Sequence, residues 1–225
     1  MKEKIRSIFN CIFEPLKKTL IVLLCIAIGA LGYKYLDEYF ERQRLINYPL
    51  EVIRHEAELT YYSYKNELTK VVKNYIDSIA PTSSLNGYAI VDYCEKYGLD
   101  IKFVLAQAQT ESKFGTTGLA KKTNNIFNVG AFDKYTVEEI NGRYKYKHPD
   151  YSIEPYMRLL YKDYIVNNKT ELDLMAKYVN KDGKRYASNT NYERDILNLY
   201  KTINKRTDIT RLQAEMARYK TICGK

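Results

Sequence analysis

Tryptophan is absent from this chain, and histidine occurs only at His55 and His148. Neither histidine has a Cys or a second His at ligand spacing, so a zinc site and a Ser-His-Asp hydrolase are both poorly supported. The four cysteines, at 11, 25, 94 and 223, are too sparse and scattered for a disulfide scaffold. The composition excludes a collagen-like chain, and 45% apolar with 13% aromatic residues is too much for a wholly disordered one. With 23 tyrosines, most aromatic packing falls to that residue. A length of 225 residues suits one catalytic-size domain with accessory segments.

The net charge of +9 is spread unevenly. Residues 1–18 carry five basic and two acidic side chains, whereas residues 37–85 carry six and eight. Residues 86–203 hold eighteen basic against fifteen acidic, and residues 204–225 hold six against two. No segment interleaves basic and aromatic residues as a nucleic-acid surface does, so no nucleic acid is expected as a partner. A cationic C-terminal tail suits lipid headgroups or an anionic cell wall equally well.

The longest uncharged run, and a mostly apolar one, is Thr19 to Tyr33. Its fifteen residues fall short of the ~20 that usually cross a bilayer. Snorkelling by Lys17, Lys18 and Lys34, with Tyr33, Tyr35 and Tyr39 as an interfacial belt, extends the span to Leu36. Two other readings compete: a cleavable signal peptide ending near Ala27-Ile28-Gly29-Ala30, and a core helix of a soluble domain. Charge asymmetry and the aromatic belt favour an uncleaved anchor over residues 19–36, in contact with membrane lipid. Lys2, Lys4, Arg6, Lys17 and Lys18 then hold residues 1–18 in the cytoplasm and place the rest outside.

Residues 37–80 read as a helical stalk interrupted by Pro49, with a second helix from Leu50 to Ile79. Tyr61, Tyr64, Leu68, Val71 and Tyr75 form one apolar seam. Such a seam can pair two copies of the chain, but it is shorter than the ~3–4 heptads of a coiled coil, which favours packing against the following domain. Residues 81–87 read as a linker. Next come a helix over Tyr88–Tyr97 stopped by Gly98, and a helix over Ile101–Phe114 capped by Asp100. Gly115–Thr123 reads as loop, and residues 126–147 as loop and short strands around Asn141-Gly142, a hairpin signal. Helices follow at Glu154–Val166, Glu171–Tyr178 and Tyr192–Ile203, and residues 204–225 form a basic helical tail over Asp208–Thr221. The fold class is mainly α, with a small β lobe.

In the helix Ile101–Phe114, Ile101, Val104, Leu105, Ala108 and Ser112 form an apolar stripe. Glu111 sits at its edge, roughly 70° from the centre, beside the face carrying Phe103, Gln107 and Phe114. A partly desolvated carboxylate near a helix C-terminus favours its protonated form, the state a general acid for glycosidic cleavage needs. A solvated helix-end glutamate is the plainer alternative.

The surrounding residues narrow the choice. Ala106-Gln-Ala-Gln-Thr-Glu111-Ser-Lys-Phe-Gly115, then Gly118-Leu-Ala120 and Asn124-Asn-Ile-Phe127, resemble the glucosaminidases of glycoside hydrolase family seventy-three, flagellar- and autolysin-type peptidoglycan hydrolases. The similarity continues over Tyr146–Leu160 and ends at Tyr186-Ala-Ser-Asn-Thr-Asn-Tyr192. It implies a lysozyme-like helical domain over residues 88–203 that cuts β-1,4 bonds of peptidoglycan glycan strands without cofactor or metal. It further implies Glu111 as the acid, Glu139 before Asn141-Gly142 as a second carboxylate, and Tyr186 as a cleft tyrosine. Phe114, Asn125, Phe127, Glu138 and Tyr192 are the implied substrate-binding residues, Asn125 and Phe127 by shaping the floor. Phe114 stands where the family usually has Trp, and Asn128 and Gly130 replace its usual Gly and Lys. Ser188, Asn189 and Thr190 replace its Thr, Asp and Pro. A lytic transglycosylase on the same fold and a non-catalytic wall-binding protein are the rival functions, and a small anchored lysin of this build also suits a phage.

Overall fold

The computed structural model describes residues 41, 50–130, 138–140 and 143–224. The basic segment 1–18, the run 19–36 and the first part of the stalk therefore lie outside the described residues, apart from Glu41. No helix among the described residues is long and apolar enough to cross a membrane. The chain divides into two compact units, Met1–Glu56 and Ala57–Lys225.

Helix α1 spans Leu50–Ile79, beginning just beyond Pro49 and ending just before Pro81, two residues that cannot extend a helical ladder. From Ala57 onward it belongs to the second unit, and there it is no free stalk. Tyr61, Leu68, Val72, Tyr75 and Ile76 are buried in that unit's core. The seam residues Tyr61, Leu68 and Tyr75 thus pack against this chain's own helices, with Tyr64 and Val71 half-buried beside them. The expected linker is also packed: Leu85 is fully buried, and Ser83 Oγ donates to the Phe114 carbonyl at 2.6 Å. Thr82, Ser84 and Asn86 of this segment remain exposed, while Ser83 turns inward.

Helix α2 covers Gly87–Tyr97, with Asn86 as N-cap through the Tyr88 amide and Gly98 as a left-handed C-cap. Gly87 is required by a close approach to α1. A Cβ there would lie 2.7 Å from the Thr69 carbonyl oxygen and 2.9 Å from the Lys73 amide nitrogen. Helix α3 covers Ile101–Ser112 and is capped by Asp100, whose side chain accepts from the Lys102 amide. It stops two residues earlier than the periodicity suggests, because Lys113 and Phe114 are left-handed at φ 45° and 56°. Nor is it amphipathic: every residue from Ile101 to Ala108 is buried, Lys102 and Gln107 included.

The segment expected as loop holds a short helix, α4, at Ala120–Thr123. Strands β1 (Glu138–Ile140) and β2 (Arg143–Lys145) pair antiparallel, with Glu139 opposite Tyr144. A 3₁₀ turn over Pro149–Ser152 leads into α5 (Ile153–Leu159), which loosens into a π turn over Leu160–Tyr164. Helix α6 (Glu171–Ala176) starts with a capping box between Thr170 and Asp173. Helix α7 runs Tyr192–Arg206 and packs along α3. Helix α8 (Ile209–Cys223) buries Ile209, Leu212, Met216 and Cys223, so the basic C-terminus is docked rather than trailing.

One ion cluster ties α1, α2 and α8 together. Glu95 on α2 accepts from Lys65 of α1 at 2.9 Å, from Lys220 of α8 at 2.8 Å and from the Tyr61 hydroxyl at 2.7 Å. Burial alone would raise the Glu95 carboxyl, but the bonds from Lys220, Lys65 and Tyr61 outweigh it and bring it from 4.5 down to about 2. A depressed folded-state value means the cluster stabilises fully above pH 4.5 and is lost as the pH falls through about 2. Urea midpoints at stepped pH should therefore show wild type well above Glu95→Gln at pH 6, with the gap narrowing below pH 4.5. A gap independent of pH would show that the Glu95 charge is not what holds α8.

Candidate active site

Glu111 lies in the last turn of α3 and is half-buried. Among the described residues, Tyr192 and Asn128 reach its carboxylate. The Tyr192 hydroxyl, at the start of α7, donates to Oε1 at 2.6 Å. The Asn128 side-chain amide donates to Oε2 at 3.3 Å and to the Glu111 carbonyl at 3.0 Å. Asn128 is held in the left-handed region at φ 51°, which Asn tolerates better than most residues.

Behind Tyr192 sits a layer of aromatic and amide groups. Gln107, one turn before Glu111 on α3, is fully buried; its Oε1 accepts from Tyr178 at 2.9 Å and from Tyr156. Its Nε2 donates to the Tyr192 hydroxyl at 3.2 Å. Tyr178 stacks on Tyr186 with ring centroids 4.6 Å apart, and Tyr186 stacks on Tyr192 at 5.6 Å. Burial is the main cause that raises the Tyr192 hydroxyl above its ordinary value, with Tyr186 and Glu111 adding to it. Burial likewise pushes Tyr178 and Tyr156 well up. These phenols stay neutral and act as donors.

The loop after α3 is fixed by side chain to backbone bonds. Ser112 Oγ donates to the Ile126 carbonyl at 2.7 Å and accepts from the Gly115 amide at 2.8 Å. Asn125, fully buried, donates to the Val129 carbonyl at 2.8 Å and accepts from the Val129 amide at 3.1 Å. Asn124 donates to the Tyr146 carbonyl at 2.8 Å, and the Tyr146 amide donates to the Thr123 carbonyl at 2.7 Å. The strand leaving the β lobe is thereby tied to α4.

Several sequence-based assignments change as a result. Phe114 is wholly buried, edge-on to Tyr75 with centroids 6.2 Å apart, so it anchors the turn after α3 and presents no surface to a ligand. Phe127 is equally buried, its ring stacked on Tyr156 at 3.7 Å. Asn125 is fully buried, and its amide bonds both backbone groups of Val129. All three build the floor from beneath. Tyr192 is nearly buried and bonds the carboxylate itself. Tyr186 is half-buried, with its hydroxyl 3.4 Å from the Phe127 carbonyl. Glu138 and Glu139 lie on β1, but their side chains are outside what the structure describes.

Gln107, Asn128, Tyr156 and Tyr178 carry the site's hydrogen bonding and were missed as site residues. An amide on a helix otherwise buried all round was the available signal for Gln107, since buried polar groups need partners. Among the described residues, no three His, Cys, Asp or Glu converge as metal ligands. A separate cleft of about 610 Å³ lies between α1 and the α7–α8 junction, lined by Tyr75, Ser78, Asn204 and Arg206. Its carboxylate, Asp208, is exposed and paired with Arg211.

Compared with known families, the chain matches the profile Glucosaminidase, described as mannosyl-glycoprotein endo-beta-N-acetylglucosaminidase, over residues 87–205, just over half its length. The chain belongs to the glucosaminidase family. It is a glycoside hydrolase of the peptidoglycan-degrading, endo-β-N-acetylglucosaminidase type. No curated protein gives a significant match. The matched region begins at the first residue of α2 and ends in the last turn of α7, so it takes in both Glu111 and Tyr192.

The loop chemistry makes a stability prediction. Asn125→Ala leaves the Val129 amide and carbonyl buried without their partner, at a cost of about 2–4 kcal/mol. Urea unfolding should register this loss. A change below about 0.5 kcal/mol would mean that the loop finds other partners.

Proposed function

We propose that this glucosaminidase acts outside the cytoplasmic membrane, anchored by residues 19–36, with Glu111 as the general acid that protonates the leaving glycosidic oxygen. The observation that carries the assignment is the convergence of a phenol from α7 and an amide from the loop after α3 on the Glu111 carboxylate. Such supports lock a side chain's rotamer, and an acid has to be held within hydrogen-bond reach of the oxygen it protonates. The glycan lies between the helical body, lysozyme-like in this reading, and the β lobe. Glu139 is the second carboxylate, holding a water or offsetting oxocarbenium charge, and Glu138 lies beside it as a binding group. Tyr186 hydrogen-bonds the sugar from the tyrosine layer.

Replacing Glu111 by Gln keeps the shape and removes the proton. On purified cell wall, Glu111→Gln should lower the release of reducing ends at least ~10²-fold while the protein still sediments with peptidoglycan. Near-normal turnover by a folded Glu111→Gln protein would refute the assignment. In the same assay Glu139→Gln should cost far more than Glu138→Gln. Anhydro ends in place of reducing ends would make the enzyme a lytic transglycosylase, and binding without any product would make it a wall-binding protein.

Anchoring rests on the charge pattern: five basic residues before the apolar run and only Lys34, Arg42 and Arg44 just after it. A hydrolase held this way reaches the wall without release from the cell. Its hold is modest, because the run is short and contains Ala27, Gly29, Ala30 and Gly32. Protease added to spheroplasts should digest the 88–203 domain and spare residues 1–18. Protection of the domain until the membrane is broken would place it in the cytoplasm.

A further inference from the structure

The direction of each hydrogen bond behind Glu111 follows from which groups have hydrogens to give. Tyr156 and Tyr178 are fully buried, and each must place its hydroxyl hydrogen on an acceptor. The Gln107 amide oxygen has two lone pairs and serves both. Turning the amide over would set two N–H donors against two phenols and take away the acceptor that both use. The tyrosine pair therefore fixes the amide, and Nε2 is left facing the Tyr192 oxygen. Because that oxygen accepts from Gln107, its own hydrogen points to Glu111 Oε1.

We propose that Gln107 is a positioning residue: through Tyr192 it holds Glu111 Oε1 as a standing hydrogen-bond acceptor and so fixes the rotamer of the acid. This rests on the reading of Glu111 as the acid. A hydroxyl donating to one carboxylate oxygen stabilises the charged form more than the neutral one. The relay thus works against burial and the helix C-terminus, both of which favour the protonated form. The described titratable groups acting on this carboxylate are Tyr192 of α7 and Tyr178 of the α6–α7 connection, with Tyr186 stacked on both. Glu139 and Glu138 of the β lobe are the further carboxylates in this reading of the cleft.

The test measures kcat and KM against pH on purified glycan with the full chain. Tyr192→Phe removes the donor and keeps the ring. Its alkaline limb should move up by about one pH unit, with kcat reduced at least about fivefold and KM within about twofold. Gln107→Glu replaces the donor facing Tyr192 by an acceptor, which turns the hydroxyl away from Glu111; its limb should move the same way and at least as far. Circular dichroism and thermal melting establish that each variant is folded, and if Gln107→Glu fails to fold, Tyr192→Phe decides alone. A folded Tyr192→Phe with the wild-type limb and kcat overturns the relay. A shift in Gln107→Glu without one in Tyr192→Phe also overturns it, because the added charge then suffices. Retained activity in Glu111→Gln is a separate outcome, and it removes the acid assignment itself.

Discussion

A helix buried on every side over its first eight residues must find partners for its polar groups, and Lys102, Gln107 and Glu111 of α3 draw theirs from distant elements. An unpaired buried ammonium or amide would cost several kcal/mol, a large part of the stability of a domain this size. The fold answers each in turn. Lys102, only 5% exposed, donates to Thr210 Oγ1 at 2.6 Å and to Asn204 Oδ1 at 3.3 Å, and it lies 4.8 Å from the centre of the Tyr200 ring. Asp100, the cap of the same helix, stands 3.6 Å away. Gln107 is met by Tyr156 and Tyr178, and Glu111 by Tyr192 and Asn128. The partners of Lys102 and Tyr192 itself come from α7, α8 and their junction, so docking of those helices and satisfaction of α3 are one event.

That coupling explains why tyrosine is so abundant in a chain without tryptophan. A phenol offers ring area for packing and a terminal hydroxyl that reaches a buried polar group. Tyr156 shows both uses, stacking flat on Phe127 while its hydroxyl meets Gln107. Tyr178 and Tyr192 repeat the pattern one layer nearer the carboxylate. Phenylalanine at these places would keep the packing and leave the amide unsatisfied, and serine would do the reverse. The Glu111 end of α3 is therefore held by the same kind of contact that satisfies its middle.

The turn after α3 imposes a second constraint. Lys113, Phe114 and Gly115 take positive φ in succession, at 45°, 56° and 80°, which reverses the chain sharply. A buried aromatic in that region is strained, by about 1–3 kcal/mol on general grounds, and persists only where its surroundings over-determine it. Tyr75 and Ser83 do so, from α1 and from the segment that reads as a linker. The turn brings Asn128 back to Glu111, so α1 and the α1–α2 connection support the site through the turn they hold.

Much of what depends on local chain chemistry was legible in the sequence. Asp100 and Gly98 announce the ends of their helices because a capping oxygen and a left-handed glycine act on residues a few positions away. Pro49 and Pro81 bracket α1, Asn141-Gly142 sits between the two strands, and the pattern around Glu111 carries the family. Tertiary structure alone decided what each of these elements faces. Phe114 reads as a ligand platform until Tyr75, distant in sequence, is seen packed against it, and residues 204–225 read as a free tail until Lys220 meets Glu95. Gln107 looks like one more polar residue on a helix until Tyr156, Tyr178 and Tyr192, between 49 and 85 positions away, arrive at its amide. Caps and turns are short-range and written in neighbouring residues, whereas the partner of a buried amide is set by which distant side chains the packed core brings within 3 Å, and no local pattern encodes that.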